Sequence, residues 1–134
     1  MALSEITLTG VNRGEDFKIP KMHGKSENIA VSSNSFVDEH YIDMADLQKL
    51  LIQIQNKHAS NSLDYAIYGF AEELAMPPAY NAERYHELKA STTIAADSQD
   101  SVSVTDNWRW ILIRLKRTTT DQDSTASIFV RGKK

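Results

Sequence analysis

Cysteine is absent from this chain of 134 residues, which removes disulfides, thiolate metal sites and a thiol nucleophile at once. It also removes the usual support for a small secreted scaffold. No run reaches the roughly 18 apolar residues of a membrane-spanning helix. The first residues, Met1-Ala2-Leu3-Ser4-Glu5-Ile6, show neither the basic nor the apolar region of a signal peptide, and no Asn-x-Ser/Thr acceptor follows. The expectation is a chain that stays in the cytoplasm where it is made. A large excess of one charge is missing too: 15 Lys and Arg against 18 Asp and Glu leave a net charge of −3. Nucleic acid and membrane are therefore not expected partners.

Punctuation is sparse, with three prolines and five glycines, and it is unevenly placed. Gly10, Gly14, Pro20 and Gly24 all fall in residues 1–28, around a short apolar patch at Phe17, Ile19 and Met22. This composition reads as an extended N-terminal arm that must be ordered by its own domain or by a neighbour. Residues 29–134 then read as one globular domain, with 41% hydrophobic and 25% charged residues in the whole chain. A chain of this length buries roughly two-thirds of its unfolded surface.

The most informative stretch is Trp108-Arg109-Trp110-Ile111-Leu112-Ile113-Arg114-Leu115-Lys116-Arg117. Odd and even positions are both apolar at its centre and both basic at its end. Side chains alternate across a strand, so this strand is buried on both faces in the middle and leaves the core at its C-terminal end. The polar residues 118–124 and a second apolar run, Ala126 to Val130, complete the pattern of a hairpin. Leu50, Ile52 and Ile54 alternate with Gln53 and Gln55, which predicts a strand over 49–56 after a single helical turn over 44–48. Leu63, Tyr65 and Ile67 alternate next. Short pieces at 29–31, 36–37, 85–88, 91–95 and 102–104 are separated by polar turns. The fold class is all-β: a single jelly-roll-like β-sandwich of about eight short antiparallel strands.

Catalytic patterns are weak. His23, His40, His58 and His86 stand far apart without metal-ligand spacing. Asp38-Glu39-His40 resembles a triad fragment, but neighbours on a strand point to opposite faces. Asp121 and Asp123 lack the rest of a calcium loop. Glu72-Glu73 and the pair Glu83 and Glu87 offer carboxylates with no feature that would perturb them. No phosphate-binding glycine loop and no nucleophile elbow occurs. The expectation is a non-enzymatic protein without a cofactor. Trp108 and Trp110, placed on one strand face, give the alternative of a carbohydrate-binding sandwich, an adhesin or lectin-like module with a glycan partner.

The succession Ile42-Asp43-Met44, Leu50 to Asn56, Asp64 to Gly69, Tyr85 to Leu88, Thr92 to Ala95, Asn107 to Lys116 and Thr125 to Lys133 resembles a known group. It is similar to the small β-sandwich accessory proteins of tailed phages and related archaeal viruses. The resemblance covers about three-quarters of the chain, from Phe36 to Lys133, and it is a resemblance of strand order. It implies a structural protein of the virion, assembled in the host cytoplasm, that decorates capsids or builds necks, tails and fibres. The implied partners are further copies of the chain and other virion proteins such as the major capsid protein. Candidate contacts are Phe17, Ile19 and Met22 in the arm, and Arg114, Lys116 and Arg117 where the central strand exits.

Overall fold

Alternation predicts strands well and their partners poorly. A computed structural model describes residues 2–11, 21–45 and 47–133. Among them are ten strands: β1 (Ala2–Glu5), β2 (Thr9–Val11), β3 (Lys21–Val31), β4 (Asp38–Asp43), β5 (Lys49–Asn56), β6 (Leu63–Phe70), β7 (His86–Ile94), β8 (Gln99–Val104), β9 (Trp110–Arg117) and β10 (Ser124–Lys133). They form two five-stranded sheets, the first in the order β1-β4-β9-β6-β7 and the second in the order β2-β3-β10-β5-β8. All pairings are antiparallel except that of β1 with β4. The chain is a β-sandwich.

The expected hairpin of the two C-terminal strands does not form. β9 is the middle strand of the first sheet and β10 the middle strand of the second, so residues 118–123 bridge the two layers. The physical reason lies in the burial of the strands themselves. A strand apolar on both faces needs cover on each face and a neighbour on each edge, and the centre of a sheet supplies both. Only the connections β2–β3 and β6–β7 stay within one sheet. The helical turn expected over 44–48 is not assigned as helix among the described residues; what closes there is one hydrogen bond, Leu47 N–H donating to the Met44 carbonyl at 3.1 Å. The pieces at 85–88 and 91–95 are one irregular strand, β7. The piece expected at 36–37 precedes β4, which begins at Asp38.

The N-terminal segment contributes more to the sheets than an arm would. β1 pairs with β4, β2 pairs with β3, and β3 runs alongside β10 for most of its length. His23, Lys25 and Glu27 are exposed while Met22, Gly24 and Ser26 are half-buried, an alternation that weakly apolar inward residues hide from a hydrophobicity reading. Gly24 is required by packing, because a Cβ there would meet the Thr7 carbonyl oxygen and Leu8. Phe17 and Ile19 lie outside the described residues.

The main core lies between the sheets. Ile42, Ile111, Ile113 and Tyr65 of the first sheet face Ile52, Ile54, Ile128 and Val130 of the second. Tyr65 crosses the gap, its hydroxyl donating to the Asp100 carboxylate on β8. One end is closed by Asn56, which is buried and fully satisfied. Its amide donates to the carbonyls of Asn61 (2.9 Å) and Ile94 (3.0 Å), and its oxygen accepts from His58 N–H (3.0 Å) and the Ser124 hydroxyl (2.9 Å).

Candidate functional site

The two sheets have outer faces of opposite character. On the first, the strand residues that point away from the sandwich core, Ala66, Tyr68, Phe70, Trp110 and Leu112, form a second apolar cluster with Tyr85. The long β6–β7 connection covers them. Trp110 Nε1 donates to the Leu74 carbonyl at 3.0 Å, and the Tyr85 hydroxyl donates to the Pro78 carbonyl at 2.6 Å. Burial pushes the Tyr85 hydroxyl up to about 12, so it remains a donor at neutral pH. Tyr80 stacks on Tyr85 with ring centroids 5.6 Å apart. The aromatics and the paired prolines of the connection thus supply the second cover that β9 requires.

The cations expected at the exit of β9 are consumed within the protein. Arg114 sits opposite Glu39 in the ladder, 3.3 Å from its carboxylate, and donates to the Phe36 carbonyl at 2.7 Å. Its guanidinium lies 3.9 Å from the Tyr80 ring centroid, a cation–π contact. Burial raises the Glu39 carboxyl above its ordinary range, and Arg114 opposes that shift. Lys116 pairs with Asp64 at 3.0 Å, and Arg117 with Asp123 at 2.6 Å. Burial works against the Asp64 carboxylate, but hydrogen bonds from Thr93, Thr118 and Lys116 hold it below the usual range. Arg109, at the entry of the strand, is bound by Asp43 and Glu73.

The triad-like sequence Asp38-Glu39-His40 separates as a strand must. Glu39 faces the outer cover opposite Arg114, and His40 faces the inner core opposite Ile113. Desolvation lowers the His40 pKa, and its Nδ1 has no partner. The two tryptophans also separate. Trp110 belongs to the outer cluster, whereas Trp108 packs against the inter-sheet core, over Gly69 and stacked on His86 at 5.5 Å. The expected shared face is lost because residues 106–109 are not yet strand: Arg109 N–H bonds to the Phe70 carbonyl, and β9 starts at Trp110.

Among the described residues, no connection covers the outer face of the second sheet as residues 71–85 cover the first. Ladder register places Lys49 opposite Lys133 and Leu51 opposite Arg131, and Lys49, Leu51, Arg131 and Lys133 are all exposed. Beyond them runs a polar ladder in which Gln53 donates to Gln99 at 2.9 Å. A cleft of about 440 Å³ opens at this end of the sheet, lined by Met22, Leu50, Leu51 and Val104 with Lys49, Arg131 and Lys133 around it. Met22 is thus placed at the cleft, half-buried against the main core. Among the described residues, no carboxylate lies within ion-pair distance of Lys49, Arg131 or Lys133. Two like charges directly opposite in a ladder are unfavourable on their own. The sequence carried one signal for this face. With Leu50, Ile52 and Ile54 inward, Leu51 is the apolar residue left among outward glutamines.

Among the described residues there is no group of three or more His, Asp or Glu placed to hold a metal ion. No family model matches the sequence, and no curated protein matches it. Solved structures are similar in fold alone. The chain aligns with CorA, a surface-associated copper-binding protein of Methylomicrobium album BG8, over 97% of either chain at 6% identity and a TM-score of 0.52. It aligns over 89% of its length with tripeptidyl peptidase 2 at 8% identity and a TM-score of 0.55, spanning 10% of that chain. The SPBc2 prophage-derived protein YomS aligns over 83% of this chain and 94% of its own, at 16% identity and a TM-score of 0.47.

Proposed function

We propose that this chain is a non-enzymatic structural subunit of a virus particle, a capsid decoration or head/tail accessory protein that works by docking. The observation that carries the reading is the contrast between the outer faces. One sheet is covered by its own chain, while the other presents an apolar cleft ringed by cations that have no carboxylate partner among the described residues. A protein built for docking needs a rigid sandwich and one uncommitted surface. The perturbed groups fit this role, since Glu39, Asp64 and their cations are spent on holding the cover and the sheet together. The strand order that resembles phage accessory proteins supplies the particle as the setting. Further copies of the chain and the major capsid protein are the partners this implies. The glycan alternative loses its platform, because Trp108 and Trp110 lie on opposite sides of the first sheet.

The test is mass spectrometry of density-banded particles from the source culture. Peptides of this chain are expected at a fixed ratio to the major capsid protein, through repeated banding. Their absence from intact particles overturns the reading.

A further inference from the structure

We propose that the Glu72–Met76 loop of one copy docks into the second-sheet cleft of another, so that copies associate head to tail. This deepens the assembly role proposed above and rests on it for the need of a partner. The loop is held firmly yet presents apolar side chains outward. Glu72 accepts from Arg84 at 2.9 Å, Glu73 is bound by Arg109, and the Leu74 carbonyl accepts from Trp110. Pro77, just behind, is buried. Despite these anchors Leu74 is 38% exposed and Met76 is 63% exposed. Nothing in the described fold requires a pinned loop to project its apolar residues into water. Pinning does lower the ordering cost of binding, which is the usual advantage of a preorganised contact.

The exposed large apolar residues among those described are Val37, Leu51, Leu74 and Met76. Two stand on the loop and one, Leu51, on the lip of the cleft. The charges complement one another as well. Glu72 and Glu73 are paired with Arg84 and Arg109 but keep side chains 59% and 82% exposed, so each still offers carboxylate oxygen to a partner, and the cleft carries Lys49, Arg131 and Lys133. A carboxylate set between Lys49 and Lys133 relieves the repulsion of their cross-strand pairing. The cleft volume of about 440 Å³ lies within the range of roughly 300–1,000 Å³ typical of binding pockets. Loop and cleft belong to different sheets, so one copy offers both halves of the contact without joining them itself. Such a heterologous contact closes into a ring or runs on as a filament.

The experiment uses the whole chain, with two exposed-site variants, Met76→Lys and Leu51→Asp, each checked for folding by circular dichroism. Mass is measured by sedimentation velocity across a wide concentration range. The wild type is expected to form oligomers, and each variant alone to fall to monomer. A mixture of the two variants leaves one intact loop and one intact cleft, so it regains a dimer and nothing larger. A wild type that stays monomeric, variants that keep the wild-type mass, or a mixture that stays monomeric each overturns the proposal. A monomeric wild type still found in banded particles overturns this contact alone. Absence from particles overturns the virion setting instead.

Discussion

The outer faces of the two sheets began from the same problem, a row of cationic side chains on a strand, and reached different solutions. On the first sheet's outer face Arg114 and Lys116 each meet a carboxylate, with Arg114 lying against aromatic rings, and Arg117, on the opposite strand face, meets Asp123. On the second, Lys49, Arg131 and Lys133 stand in water around an apolar cleft. Charge therefore means different things on the two faces. Where it is covered it has become part of the fold, and removing it costs stability. Where it is bare, removing it is expected to leave stability level and, under the proposed docking, to change association. The largest test of this contrast is Arg114→Ala, which strands Glu39 at 1% exposure. Breaking a buried pair in this way costs about 3–5 kcal/mol, read as a fall in the urea midpoint. The double variant Glu39→Gln with Arg114→Met is expected to recover most of the loss. If Lys133→Ala destabilises the chain as much as Arg114→Ala, the contrast fails.

A second test concerns how the covered sheet is closed at its edge. Gly69 faces the indole of Trp108, and a Cβ there would lie inside contact distance of the ring. Gly69→Ala is expected to cost about 1–3 kcal/mol through overpacking. Tryptophan emission should shift to the red as Trp108 is displaced from His86. An unchanged spectrum and midpoint would mean that the indole has room to move, and that the end of the sandwich is looser than the packing shows.

Much of this architecture was legible in the residues. The run from Trp110 to Leu115 announced a strand buried on both faces, and the alternation of Leu50, Ile52 and Ile54 with glutamines announced β5 with its solvent side. What the residues could not announce was pairing. Period-two alternation reports which face is dry, and it is silent about which strand lies alongside, so a bridge between layers at 118–123 looked like a hairpin. The cover of the first sheet was hidden for a similar reason. Trp110 and Leu112 are buried by residues 71–85, a connection whose adjacent Pro77 and Pro78 cannot donate to a ladder and whose residues show no alternation to mark it as a cover. The ion pairs were hidden because Glu39 and Asp64 lie far in sequence from Arg114 and Lys116. The cleft had one local sign in β5, Leu51 among outward polar residues of that strand.

A third test separates the core from both outer faces by pH. His40 points inward from β4 with its Nδ1 unpaired, and desolvation lowers its pKa. The unfolded chain, with an ordinary histidine pKa near about 6.5, takes up the proton first as pH falls. Stability is therefore full above that value and declines as pH drops through the window between the unfolded and the lower folded pKa. Asp64 has a depressed pKa and loses its contribution only as pH falls below the ordinary carboxylate value of about 3.9. Urea midpoints at pH of about 7.5 and 5.5, for the wild type and His40→Gln, should show a slope in the first and a weaker one in the second. Equal slopes would place the linkage in another group.

The smallest expected effect on stability is the most telling about the bare face. Leu51 is 44% exposed and its outward neighbours are polar, so Leu51→Asp removes little buried area and introduces a charge into water beside three cations. Exposed substitutions of this kind change stability by about 0.5 kcal/mol or less, and here the aspartate gains Lys49, Arg131 and Lys133 as neighbours. The midpoint is therefore expected to stay level or rise slightly, while the self-association that depends on an apolar lip is lost. A residue kept purely for folding cannot behave so: an apolar side chain that stabilises nothing when alone, yet whose removal abolishes assembly, has its partner outside the monomer. Should Leu51→Asp instead lower the midpoint by as much as Gly69→Ala, Leu51 belongs to the core, and the second face is no more available than the first.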